Sequence, residues 1–435
     1  MSQQFTNIVD DLQWRGALSD ATPGAEDLLI NDKITCYNGF DPTSDTLHIG
    51  NLLPLMCLSR LQRYGHTPIA ILGGGTGMIG DPSGRTDERT LLSIEDIDAN
   101  GEKIRVQLEQ FLDFDAKSNP AQLINNADWL RSINYLDFLR DIGKSFTVNT
   151  MIRRDSVRTR MEREGEGISY TEFSYALLQA YDFLMLYERE GCNFQSGGTD
   201  QWGNILDGVD LIRRKHGPDK NGLPRAHGIV FPLITDSKGD KLGKSIGGAP
   251  ALDSNKFSPY RLYQFFFNTD DADVIRYIKL FTWLEPEEVG TLEEAVRENP
   301  DRREAQQTLA EQITQIVHGQ SGLEQARRVT RAFFRGEFDT LSASELDDLF
   351  EGSASIQVEK CDIDNRALSF EELAVATSLA QSFGDARRTV QQGGMYLNSG
   401  RVDDPAREIT PEDLLHGNLI ILRRGRREHR LVRVL

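Results

Sequence analysis

Residues 42–51, PTSDTLHIGN, put a Thr, a His and an Asn into one short turn. Asp41-Pro42 favours a turn, and Thr43 to Asp45 can cap a helix. His48 and Asn51 are three apart, so they share a face at the start of the helical pattern 52–64. Gly50, between them, lets a ligand approach the backbone. A helix N-terminus with such donors suits an anion; a capped turn with a surface His fits the same residues. Far downstream, Lys241-Leu242-Gly243-Lys244-Ser245 lies in a Gly-rich loop. Two lysines three apart can neutralise a polyphosphate as it gains charge, although a solvated lysine loop is the commoner use of such a run. The spacing does not match the P-loop pattern GxxxxGK[ST].

Three further stretches carry candidate chemistry. In the apolar helical pattern 171–190, Tyr175, Gln179 and Asp182 fall at i, i+4 and i+7 on one stripe. Phe173, Leu177, Leu178, Tyr181 and Phe183 leave little room for a wide solvent face, and buried polar groups must be satisfied. The stripe is therefore expected to line a pocket. In GGTDQWGN, 197–204, a strand hands over to a helix, and Gly198, Asp200 and Gln201 can bind a ligand or simply cap. GGGTGMIGDPSG, 73–84, is a Gly-rich turn after a strand and includes Asp81.

The elements that would position these residues read as α/β. Apolar runs at 34–37, 68–72, 192–195 and 229–234 alternate with helical periods, predicting a Rossmann-like, mainly parallel sheet. Ligands bind such sheets at the carboxyl ends of the strands, near a topological switch point. From about residue 258 to 336 the pattern is helical. The expected bounds are a catalytic domain at 1–240, a lysine-loop and helical domain at 241–336, a linker at 337–366 and a small α+β domain at 367–435. The last ends in an expected hairpin, 419–422 with 430–434.

The net charge of −18 excludes a protein coated in positive charge, though not a local basic patch. Arg387, Arg388, Arg401, Arg423, Arg424, Arg426, Arg427, Arg430 and Arg433 form a local excess near the C-terminus. It is either a solvated tail or a sheet presenting arginines to RNA phosphates. Four scattered cysteines without CxxC spacing fit a reducing cytoplasm and make a structural zinc site improbable. No metal ligand set is expected. The N-terminus shows no secretory pattern, and no apolar run approaches the ~20 residues of a membrane helix.

The pair PTSDTLHIGN and KLGKS resembles the signature of class I aminoacyl-tRNA synthetases, HIGH and KMSKS in their usual form. Asn51 replaces the second His, leaving a neutral donor, and Leu-Gly replaces Met-Ser between the retained lysines. TEFSYALLQAYDFLMLY resembles the substrate helix of the bacterial tyrosyl-tRNA synthetases, and residues from 367 onward resemble an S4-type RNA-binding domain, chiefly through DARRTVQQGGMYLNSGRV. The resemblance implies activation of L-tyrosine by ATP with Mg²⁺, then transfer to tRNA(Tyr), by a homodimer. It also implies residue roles. Asp182 and Tyr37 would bind the phenolic hydroxyl, with Tyr175, Gln179 and Asp81 at the ammonium and Gln201 near the carboxylate. Gly39, Asp41, Gly50, Gly198 and Asp200 would lie near ATP, and Thr43, His48, Asn51, Lys241 and Lys244 near the phosphates. Tryptophanyl-tRNA synthetase shares the signature, but indole offers one donor and no acceptor to Tyr37 with Asp182. An RNA-binding regulator that kept the fold and a free nucleotidyltransferase are the readings from other classes.

Overall fold

The computed structural model describes residues 5–83, 92–154, 157–158, 161, 167–243, 249–350, 355–359, 368–425 and 428–435. Lys244, Arg426 and Arg427 lie outside the described residues.

The apolar runs become strands of one sheet. Its strands are β1 (Asp20–Ala21), β2 (Thr35–Phe40), β3 (Thr67–Leu72), β4 (Gln122–Asn125), β5 (Phe194–Gly198) and β6 (His227–Phe231), in spatial order β1-β6-β5-β2-β3-β4. All neighbours are parallel except β1 with β6. Strands β1 and β4 were not expected from sequence. One is two residues long, and Gln122–Asn125 lacks an apolar run because it is an edge strand, half-buried along its length. The order reverses between β2 and β5, where Tyr37 lies opposite Gln195. The carboxyl ends of these two strands therefore flank the switch point where α/β sheets bind ligands.

Three helices matter to the site: α1 (Leu52–Arg63), α2 (Tyr170–Glu190) and α3 (Trp202–His216). Ser169 caps α2 by accepting from the Glu172 N–H, and Gly191 ends it at φ 65°. Helices α2 and α3 pack closely because position 208 is Gly; a Cβ there would sit 2.7 Å from the Phe183 ring. Phe183, Leu184, Leu186, Leu211 and Ile212 are buried in the resulting core with Tyr37 and Ile69.

Contacts divide the chain into two units, residues 1–257 with 266–317, and residues 258–265 with 318–435. The helices expected after 258 are present, yet those of 266–317 belong with the first unit. The reason lies in two buried arginines. Arg60 donates to Leu280 O at 3.0 Å and Thr282 O at 2.6 Å, and Arg15 donates to Lys279 O, Thr282 O and Leu284 O. They satisfy the free carbonyls at the end of α4 (Asp271–Phe281).

In the second unit a sheet has the order β7-β11-β10-β8-β9, with β7 (Ser355–Val358), β8 (Met395–Leu397), β9 (Gly400–Arg401), β10 (Leu419–Arg424) and β11 (Glu428–Val434). The expected hairpin is β10 with β11. Alternate residues of β10 enter two cores. Ile420 and Leu422 pack with Phe370, Leu373 and Val390 of helices α5 (Phe370–Ala376) and α6 (Phe383–Gln391). Leu419 and Ile421 pack with Val329, Phe338, Leu346 and Phe350. Part of the segment expected as a linker is thus folded: residues 338–350 fill the second core, and Ser342 caps the helix Ala343–Leu349. Its acidic surface residues hid the spaced apolar ones.

Candidate active site

A cavity of about 260 Å³ opens at the switch point. The structure brings into its lining Tyr37, Gly39, Asp41, Thr43, His48 and Asn51 from β2 and the following turn. Asp81, Tyr175, Gln179, Asp182, Gly198 and Gln201 line it as well. A more apolar recess of about 390 Å³ is lined by His48, Gly50, Leu53, Gly198, Asp200, Leu233 and Lys241, so His48 and Gly198 belong to both.

At the deep end, Asp182 is buried and holds two donors. Trp129 Nε1–H donates to Oδ1 at 2.7 Å and Asn126 Nδ2–H to Oδ2 at 2.8 Å. Burial pushes the carboxyl up to about 7 against the opposing pull of these bonds, with Asp41 adding to the rise. The Tyr37 hydroxyl is buried without a hydrogen-bond partner among the described residues, and desolvation, then Asp182, push its pKa well above the ordinary phenol value, so it keeps its proton. A buried phenol with no partner beside a carboxylate with spare lone pairs can take one hydroxyl that both donates and accepts. Sequence reasoning did not find Asn126 or Trp129. Their signal was an Asn-Asn pair after a strand too polar to recognise.

Nearer the mouth, the Tyr175 hydroxyl donates to Asp41 Oδ2 at 3.0 Å, and the Thr76 hydroxyl donates to Asp41 Oδ1 at 2.7 Å. Gly73 makes room for that carboxylate, since a Cβ there would lie 1.9 Å from Asp41 Oδ1. Gln201 Nε2–H donates to Asp81 Oδ2 at 2.7 Å, and Gln179 Nε2–H to Gln201 Oε1 at 3.2 Å. Asn204, also missed, donates to Gln179 Oε1 at 3.1 Å and holds the chain of amides from α3. Asp81, Gln179 and Gln201 thus form one network, while Tyr175 is tied to Asp41. Asp200 is half-buried, and desolvation followed by Asp81 raises its carboxyl while Lys241 opposes them.

The helix cap differs from expectation. His48 itself caps the turn Ile49–Asn51: its Nδ1 accepts from the Gly50 N–H at 3.0 Å, and Asn51 Oδ1 accepts from the His48 N–H at 3.0 Å. Asp45 is instead paired with Lys103 and Lys256. With Nδ1 accepting, the neutral ring carries its proton on Nε2.

Of the arginines expected to meet RNA, Arg387 and Arg388 are exposed. Arg387 forms a two-bond pair with Glu371, and Arg424 pairs with Asp385. Arg423 is buried with its guanidinium 3.9 Å from the ring centre of Tyr396. Strand β10 is buried on both faces, and alternation puts Arg423 on the same face as Leu419 and Ile421, so its charge is spent within the unit.

The fold is that of a class I synthetase: the description "tRNA synthetases class I (W and Y)" matches residues 30–335. Residues 345–432 match the tyrosine–tRNA ligase SYY-like C-terminal domain. The chain is 49% identical over 431 residues to the tyrosine–tRNA ligase of Roseiflexus castenholzii, covering 99% of this chain and 100% of that protein. It is 46% identical over 429 residues to that of Bacillus caldotenax, covering 98% and 99%. A C-terminally truncated Aspergillus nidulans mitochondrial tyrosyl-tRNA synthetase superposes with a TM-score of 0.67 at 32% identity, over 76% of this chain and 95% of that one. The chain belongs to the tyrosine–tRNA ligase family.

Proposed function

We propose that this chain joins tyrosine to ATP, forming tyrosyl-adenylate and pyrophosphate, and then transfers tyrosine to the terminal adenosine of tRNA(Tyr). The observation that carries the specificity is the buried, unpartnered Tyr37 hydroxyl in the same cavity as Asp182. The substrate phenol donates to Asp182 and accepts from Tyr37. Phenylalanine leaves the Tyr37 hydroxyl unpaired and gives Asp182 no donor beyond Trp129 and Asn126, and indole leaves Tyr37 unpaired. Asp81, Gln179 and Tyr175 receive the ammonium, and Gln201 lies near the carboxylate. That carboxylate, with an ordinary pKa of about 3.3–3.7, is ionised at neutral pH and needs no general base. Catalysis then rests on orientation and on stabilising the leaving pyrophosphate. Thr43, His48 Nε2–H, Asn51, Lys241 and Lys244 serve that role. The adenosine occupies the apolar recess beside Gly50, Gly198 and Asp200, and Mg²⁺ arrives with ATP as part of the substrate, held by phosphates and water.

The C-terminal unit, with Arg388 and Arg401 exposed, meets the tRNA backbone. A homodimer is the assembly, supported by the exposed apolar residue Leu136 beside Tyr135, whose hydroxyl lies 3.1 Å from that of Tyr170, itself exposed. The buried free thiols of Cys36, Cys57 and Cys192 fit a reducing cytoplasm. No described helix is long and apolar enough to cross a membrane. The test is amino-acid-dependent ATP–pyrophosphate exchange over all twenty amino acids without tRNA. Exchange with tyrosine alone is expected; exchange with tryptophan overturns the pocket assignment.

A further inference from the structure

The turn that carries His48 is held from behind by Gln107, a residue no motif singles out. Gln107 is buried in the helix Ile94–Leu108. Its Oε1 accepts from the Leu47 N–H at 2.9 Å, and the Thr46 hydroxyl lies 3.2 Å from the same oxygen. Its Nε2–H donates to Lys103 O at 3.3 Å, which fixes which end of the amide faces the turn. From the other side, the Leu252 N–H donates to Leu47 O at 2.8 Å and the Ile49 N–H to Pro250 O at 2.9 Å. The Asp253 N–H donates to Thr46 Oγ1 at 3.2 Å. Residues 46–49 are thus gripped between the helix bearing Gln107 and the chain that follows the lysine motif.

We infer that Gln107 is a positioning residue for the leaving-group step, holding His48 and Asn51 in register by accepting from Leu47. This rests on the reading of His48 as a phosphate donor. Without the acceptor, the Leu47 N–H is buried unpaired, and the turn must shift to reach water. The His48 capping box begins one residue later, so the Nε2–H moves with it. A misplacement of about 1 Å in a positioning group costs on the order of 100-fold in rate. Tyrosine binding, at the far end of the cavity, should not feel it.

The experiment compares Gln107→Leu and Gln107→Glu in the full chain, by pyrophosphate-exchange kinetics and equilibrium dialysis of tyrosine. Gln107→Leu should lower kcat about 10- to 100-fold with tyrosine Kd unchanged. Gln107→Glu keeps an acceptor oxygen and should restore most of kcat. In a His48→Ala background Gln107→Leu should add little further loss. Normal kcat in Gln107→Leu, equal impairment in Gln107→Glu, or an undiminished loss on His48→Ala overturns the inference. Should Gln107→Leu fail to fold, Thr46→Val, which loosens the same grip, should show the same kcat-selective loss, and normal kcat there overturns it. Normal kcat in His48→Ala would instead overturn the phosphate reading itself.

Discussion

Trp129 donates its indole N–H to Asp182 Oδ1 at 2.7 Å, joining the short helix Ala127–Leu130 that follows an edge strand to the carboxylate at the bottom of the cavity. The bond holds Asp182 in place and favours its charged form. Trp129→Phe removes that donor with little change in shape. A hydrogen bond to a charged group is worth about 2 kcal/mol, so KM for tyrosine should rise by roughly 10-fold or more, with KM for ATP unchanged. Steady-state exchange kinetics measure both.

The Asp182 carboxyl, raised to about 7 by burial, sets a pH dependence. Below that value it is protonated and accepts the substrate hydroxyl only as a weaker, neutral partner. The kcat/KM for tyrosine should therefore fall as pH drops through about 7. Trp129→Phe should move this limb to higher pH. Stability runs the other way. The folded carboxyl holds its proton more tightly than the unfolded one, whose pKa is about 3.9. The native state thus loses stability as pH rises between these values, a loss absent in Asp182→Asn. Urea unfolding across that range of pH compares the two.

Much of this site was legible from residue type and spacing. The stripe Tyr175, Gln179 and Asp182 was readable because three polar residues at helical spacing interrupt an otherwise apolar helix. Asn126 and Trp129 were not, because β4 is a half-buried edge whose residues show no alternation of buried and exposed positions. Spacing placed His48 beside Asn51 but missed that His48 is the cap. Charge alone marked Arg423 as a surface residue, whereas packing on Tyr396 decides its fate. Residues 338–350 read as linker because their composition is acidic, yet Phe338, Leu346 and Phe350 supply a core.

That core bears on how the tRNA contact is tested. Removing residues from 367 onward would strip Leu419, Ile421 and Leu431 from Phe338 and Leu346. Charge reversal is cleaner. Arg388→Glu with Arg401→Glu should weaken tRNA charging by roughly 10-fold or more at physiological salt and leave exchange unaltered. The deficit should shrink at low salt. Aminoacylation with purified tRNA reads the first, exchange the second.

Leu136→Glu places a charge on the exposed apolar surface around Tyr135. Sedimentation should show dissociation to a species of half the mass, with unchanged circular dichroism. A native sedimentation coefficient would remove this surface from the assembly.

The central claim is that Tyr37 and Asp182 read the substrate hydroxyl. The most direct measurement is the ratio of kcat/KM for tyrosine over phenylalanine in ATP–pyrophosphate exchange, for the native chain and for Asp182→Ala. The account predicts strong preference for tyrosine in the native chain and a collapse of that preference in the folded variant, through loss of tyrosine activation. Near-native exchange with tyrosine in Asp182→Ala would contradict it.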